Sequence, residues 1–224
     1  MPPRLPFAPG PFFVLLALLL LLITFIQVGA LTLAFDKLGL SPHSALILMA
    51  VSLFGSLINL PLFAMETEAS GAHTVPDPFH SLLRQPMQEF HGRTLVAINL
   101  GGCLVPVIFS LYLIARGSFS LTALFIVTGV VTLVSHLSSR PMRGIGIGMP
   151  VFVAPLAAAI TAVLVDVDHS APLAYVGGTL GVLIGADLMR FRDIRKLGAP
   201  LASIGGAGTF DGIFITGIVA VLLT

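Results

Sequence analysis

Two aspartates carry the chemistry this sequence can offer. Asp187 ends the run Gly185-Ala-Asp187, and Asp211 lies in Gly205-Gly-Ala-Gly-Thr-Phe-Asp211-Gly, with a short basic linker between them. Their neighbours are apolar or glycine, so each carboxylate loses hydration and needs a partner, water or a proton. Two carboxylates that share one proton can divide the work of hydrolysis. One activates water as a base while the other, protonated, polarises a peptide carbonyl. The same groups inside a bilayer could instead bind an ion or relay protons. A non-catalytic membrane scaffold is a third reading, and no residue speaks specifically for it.

The rest of the chain must hold these groups in an apolar setting. Hydrophobic residues make up 56% of the 224 positions and charged residues 9%, with a mean hydropathy of +1.05. A soluble domain of this length needs more charge to wet its surface. The expected fold is therefore all-α: a single integral membrane domain over residues 1–224, built as a polytopic transmembrane helical bundle with the lipid bilayer as its main partner. A net charge of +1 makes no case for a nucleic-acid partner. Cys103 is the one cysteine, which excludes an internal disulfide and reads as apolar packing. No cofactor is expected.

A bilayer core about 30 Å thick takes about 20 apolar residues per helix. On that basis seven spans are predicted, at 12–35, 43–64, 94–115, 119–137, 149–165, 172–189 and 201–223. The first outlasts a signal-peptide core and lacks a small-x-small cleavage site, so a retained helix is expected. With the N-terminus inside, Arg4, Arg84, Arg93, Arg140, Arg143, Arg190, Arg192, Arg195 and Lys196 collect on the cytoplasmic side. Only Lys37 and Arg116 fall outside. That bias predicts an N-in, C-out orientation.

Residues 65–93 read as a polar cytoplasmic loop, in which Pro76, Pro78 and Pro86 oppose a long helix. Its His73, Asp77, His80, Glu89 and His91 match no zinc spacing, and Asp166-Val-Asp168-His169 needs no ligand at a wet interface. No metal is expected at either place. Gly144, Gly146 and Gly148 alternate with no strand before them, so they read as a tight turn or re-entrant segment rather than a phosphate cradle.

Asn99-Leu-Gly-Gly-Cys-Leu-Val-Pro106 puts two glycines and a proline inside the third span, which predicts a kinked or broken helix. Freed carbonyls and Asn99 would then face protein or a water-filled cavity, as in many solute sites; a kink that only lets helices approach is the equal alternative. Gly177, Gly181 and Gly185 form a small-residue ridge on the sixth span, and Gly205, Gly208, Gly212 and Thr216 a similar stripe on the seventh. On straight helices Asp187 lies roughly 130° from its ridge and Asp211 roughly 100° from its own, beside the seam if the ridges pack together. Asp187 also has an ordinary explanation, an ion pair with Arg190 at a helix end. Asp211 lacks one. It lies about 15 Å into its span or, if Gly205 to Gly208 unwind, at the N-terminus of a half-helix, where amide dipoles favour a carboxylate.

Gly208-Thr-Phe-Asp211-Gly-Ile-Phe, followed by an apolar helix, is similar to the Gly-x-Gly-Asp segment of presenilin and signal peptide peptidase. The resemblance implies catalytic roles for Asp211 and, on the preceding helix, Asp187, with a transmembrane peptide as substrate. Phe210 stands where that family has a glycine, and no Pro-Ala-Leu element follows. A second resemblance covers the chain from roughly Leu95 onward. Asn99-Leu-Gly-Gly, Tyr175-Val-Gly-Gly-Thr-Leu-Gly, Ile184-Gly-Ala-Asp-Leu and the run from Arg192 to Phe214 resemble a prokaryotic membrane family catalogued only as a domain of unknown function. It implies a multi-pass protein of a bacterial or archaeal inner membrane and assigns no activity. The expected site thus comprises Asp187 and Asp211, supported by Asn99, Gly208, Thr209 and Gly212. Its first use is intramembrane aspartyl proteolysis; the alternative is ion- or proton-coupled transport of a small ion by the same carboxylates.

Overall fold

Apolar, helix-forming sequence makes most of the described chain helical, and Ser41 and Ser120 cap two of the helices. The computed structural model describes residues 28–67, 92–117, 119–142, 146–206 and 212–224. Within them α1 (Val28–Lys37) turns through 112° into α2 (Pro42–Gly55). Gly39 makes that turn at φ 72°, a region that residues with a Cβ avoid. Ser41 then caps α2 by accepting from the Ser44 amide, with Pro42 at the first helical position. Further helices follow: α3 (Val105–Arg116), α4 (Leu121–Ser138), α5 (Val153–Val165), α6 (Ser170–Val182) and α7 (Gly212–Leu223).

The chain is mostly helical, but the all-α expectation needs correction. Five strands occur among the described residues: β1 (Asn59–Glu66), β2 (Arg93–Asn99), β3 (Arg140–Met142), β4 (Gly146–Gly148) and β5 (Leu201–Ile204). β3 and β4 form a small antiparallel pair that includes Gly146 and Gly148. The other three form one sheet in the order β1-β2-β5, antiparallel between β1 and β2 and parallel between β2 and β5. Thr67 N donates to Gly92 O at 2.9 Å, which brings the two ends of the polar loop together.

With 12 residues each, α3 and α7 extend only about 18 Å at 1.5 Å per residue, well short of a bilayer core of about 30 Å. Beside each of these short helices an extended stretch has its backbone groups paired in the sheet. The segments predicted as spans 43–64, 94–115 and 201–223 are each divided in this way between one helix and one strand. α4 and the continuous helix Ser170–Leu188 are long and apolar enough to cross a membrane, and the bent pair α1–α2 makes a third candidate. These two helices coincide with the predicted spans 119–137 and 172–189, and α5 with 149–165. Residues 12–27 of the first predicted span, and 68–91 of the polar loop, lie outside the described residues.

α6 is the central helix, packed against α3, α4, α5 and α7. Its glycine ridge faces α4. A Cβ at Gly177 would meet Val127, one at Gly181 would fall 2.6 Å from Val131 Cβ, and one at Gly185 would strike Thr132 O. Small residues let the two backbones come this close. α7 occupies a different side, with Gly217 against Tyr175 and Thr179, and Thr216 against Gly178. The stripe on α6 thus faces α4, while Thr216 of the other stripe lies against Gly178. The buried Tyr175 ring also meets Phe109 of α3 edge-on, with centroids 5.0 Å apart.

Candidate functional site

Two strand–turn–helix units meet at one end of the bundle. β2 leads through a π-helical turn (Leu100–Leu104) into α3, and β5 leads through Gly205 and Gly206 toward α7. The parallel pairing sets Leu95 beside Leu201 and Ile98 beside Ile204. Carried along the sequence at the same spacing, Asn99 corresponds to Gly205, Pro106 to Gly212 and Ser110 to Thr216. Each helix thus begins at nearly the same distance beyond its strand. The third predicted span changes from strand to helix at Asn99, and Leu100–Arg116 is one continuous helix whose first turn is π.

Asn99 ends β2 fully buried, and its amide is used completely. Its Oδ1 accepts from Gly102 N at 2.7 Å, which caps the π turn. Its Nδ2 donates to Ser56 O at 2.7 Å and to Asn59 Oδ1 at 3.1 Å. Ser203 of β5 donates to the same Asn59 oxygen at 2.6 Å, and Ser52 Oγ donates to Gly101 O at 2.8 Å. A buried amide is stable only when its donors and acceptor are paired, as here. The group locks α2, β1, β2 and β5 to one another. Glycine is required at the turn because a methyl at Gly101 would collide with Ser52 O, and one at Gly102 with Gly205 O.

The last turn of the α6 segment carries Asp187, and it is not α-helical. Residues Leu183–Leu188 are π-helical, with Met189 N donating to Ile184 O at 2.9 Å. Such a turn amounts to one extra residue in an α-helix, so positions beyond it are turned back by about 100°. On a straight helix Asp187 would share the side of Leu180 and Ile184, the latter 36% exposed. Instead Leu188 takes that side and is 49% exposed. Asp187 itself lies within the π turn and is half-buried.

Neighbouring groups fix this turn. His136 Nδ1 lies 3.3 Å from Gly185 O, and because a carbonyl only accepts, that nitrogen carries the hydrogen. Arg190 Nη2 donates to His136 O at 2.7 Å and its Nε to Ser139 Oγ at 2.6 Å. Arg190 Nη1 also pairs with Asp193 at 3.3 Å, and Lys196 joins Asp193 at 3.2 Å within the 3-10 turn Phe191–Lys196. Arg190 therefore ties the C-terminal end of α4 to the segment after Asp187.

Of the expected site, Asp187 stands on the π turn, Asn99 in the buried lock, and Gly212 at the first residue of α7. Asp211, Gly208 and Thr209 lie outside the described residues. Thr216 of α7 lies against Gly178 of α6, and Gly212 begins α7 about one turn earlier. Sequence reasoning missed Ser52, Ser56, Asn59, Ser203, His136 and Ser139. Ser52 and Ser56, one turn apart at the end of an apolar helix, were a readable signal; a lone histidine ending an apolar span was not. Asp166 and His169 pair at 3.1 Å, and among the described residues no group of three or more His, Cys, Asp or Glu could hold a metal ion.

These features define a class of protein: a mostly helical bundle with two or three apolar helices able to cross a membrane, a small three-stranded sheet, and a carboxylate on a π turn. Residues 53–223 match the family described as "Protein of unknown function (DUF1614)", and the chain belongs to that family. No curated protein and no solved structure matches it.

Proposed function

We propose that this is a seven-span, N-in, C-out protein of a bacterial or archaeal inner membrane, with an intramembrane di-aspartyl site of the protease type at Asp187 and Asp211. The observation that carries the reading is the π turn at Leu183–Leu188. π turns give poorer hydrogen-bond geometry than α-helix and concentrate at functional sites. In this reading the distortion turns a carboxylate from the lipid-facing side toward α7, the helix that Asp211 precedes in sequence. The parallel pairing of β2 with β5 agrees with spans three and seven running in the same direction, as two odd-numbered spans must. The sheet and Asn99 then lie at the cytoplasmic end, where the arginine-rich segments collect.

In this reading one ionised carboxylate takes a proton from water while the other, protonated, donates to the scissile carbonyl oxygen. The resulting gem-diol collapses, the carbon–nitrogen bond breaks, and the amine leaves with a proton from the first carboxyl group. The substrate is a transmembrane peptide whose backbone must be extended at the scissile bond. The test uses Asp187→Asn and Asp211→Asn, singly and together, in proteoliposomes with a model transmembrane peptide. Each change is expected to lower kcat by about 10³-fold or more, and the pair by little beyond either alone, because the groups act as one unit. Cleavage surviving both changes contradicts the protease reading.

A second reading, ion- or proton-coupled transport by the same carboxylates, is favoured by the two parallel strand–turn–helix units. Direct repeats build solute sites at their interface in several transporter folds. Ion flux that is lost in Asp187→Asn and Asp211→Asn, from a chain that cleaves no peptide, would select it.

A further inference from the structure

We propose that His136 is a positioning residue for Asp187, acting through the π turn that it holds against α4. Its consequence for catalysis rests on the di-aspartyl reading, but the contact itself does not. An i→i+5 turn disturbs the regular pairing of local carbonyls, so one of them profits from a donor outside the helix. Gly185 O has such a donor in His136 Nδ1. The approach depends on glycine, since a Cβ at Gly185 would meet Thr132 O and lie 3.1 Å from His136 N. The carbonyl of the same histidine accepts from Arg190. α4 therefore grips the segment on both sides of Asp187, with the His136 ring at Gly185 and the His136 carbonyl at Arg190. Without the ring contact the turn relaxes toward a straight helix, which rotates position 187 by about 100° toward lipid and Leu188 inward.

Asparagine carries its amide nitrogen near the place of histidine Nδ1, whereas glutamine reaches one bond further. Cys103→Ala removes the one cysteine. Asp187→Cys and Leu188→Cys, made separately in that background, then report which position faces lipid. The readout is the reaction rate with pyrene maleimide dissolved in phosphatidylcholine vesicles that hold the full chain. With His136 present, Leu188→Cys reacts faster than Asp187→Cys. His136→Ala and His136→Gln are expected to lower that rate ratio by about fivefold, the weight of one uncharged hydrogen bond, while His136→Asn keeps it within about twofold. A ratio unchanged by Ala and Gln, or lost equally with Asn, overturns the proposal. The labelling needs no activity, so cleavage that persists in Asp187→Asn would remove the protease reading and leave this result to be read by itself. In chains that keep Asp187, cleavage kcat is expected to rank His136 and Asn above Gln and Ala.

Discussion

Asn99→Ala removes an amide that is fully buried and makes three hydrogen bonds, at 2.7, 2.7 and 3.1 Å. Two buried backbone groups, Gly102 N and Ser56 O, are then left without this partner. Each orphaned group costs about 1–3 kcal/mol, so a loss of about 4 kcal/mol is expected before any cavity is counted. For a chain of 150–250 residues, about 1 kcal/mol corresponds to about 2–4 °C, which gives a fall in midpoint of about 8–16 °C. Asn99→Asp separates a structural lock from a cation site. Its first oxygen still accepts from Gly102 N, but its second faces Ser56 O and Asn59 Oδ1, both acceptors, so the loss equals or exceeds that of alanine. A cation ligand would behave in the opposite sense, with added negative charge strengthening ion binding. Cys103 supplies the assay, because it is 5% exposed and sits in the same π turn. A fluorogenic maleimide added during a heating ramp reports the opening of this turn. A midpoint within about 2 °C of the unaltered chain for both variants refutes the lock.

Three further outcomes are expected from the same ramp. Gly102→Ala drives a methyl into Gly205 O, a backbone atom with little room to yield, and should cost about 1–3 kcal/mol; Gly129→Ala on α4 meets open space and should be neutral or slightly stabilising. Arg190→Lys should lower the midpoint by several degrees, because one ammonium cannot serve His136 O, Ser139 Oγ and Asp193 together. Glu66→Ala should leave it unchanged in about 0.15 M salt, since the 3.9 Å pair with Arg93 has side chains 71% and 86% exposed.

Much of this architecture was legible in the residues. α4 was readable because an uninterrupted apolar run follows Ser120, whose hydroxyl caps it. The irregular start of the α3 segment was signalled by Gly101, Gly102 and Pro106, which lie in and just after its π turn. The sheet was hidden for a physical reason. Leu95-Val-Ala-Ile98 and Leu201-Ala-Ser-Ile204 are short apolar runs that periodicity alone does not separate from buried helix, and their pairing joins distant parts of the chain. The π turn at Leu183–Leu188 was equally hidden, because a straight helical wheel carries no sign of an inserted residue. What composition did reveal was the pair of aspartates themselves: carboxylates with apolar and glycine neighbours. Their relative geometry depends on the π turn and on Gly205 and Gly206, which turn the chain at φ 82° and 90°.

The central claim is that Asp187 is turned toward α7 and meets Asp211. Oxidative cross-linking of Asp187→Cys with Asp211→Cys, in a Cys103→Ala chain held in its membrane, tests it most directly. A disulfide needs Cβ atoms about 3.5–4.5 Å apart. Gly178→Cys with Thr216→Cys serves as the positive control, since a Cβ at Gly178 lies 3.2 Å from Thr216 Cγ2. The expected result is a bridge between positions 187 and 211, and none when Leu188→Cys replaces Asp187→Cys. No bridge at 187, or a better one at 188, while the control pair closes, would contradict the account.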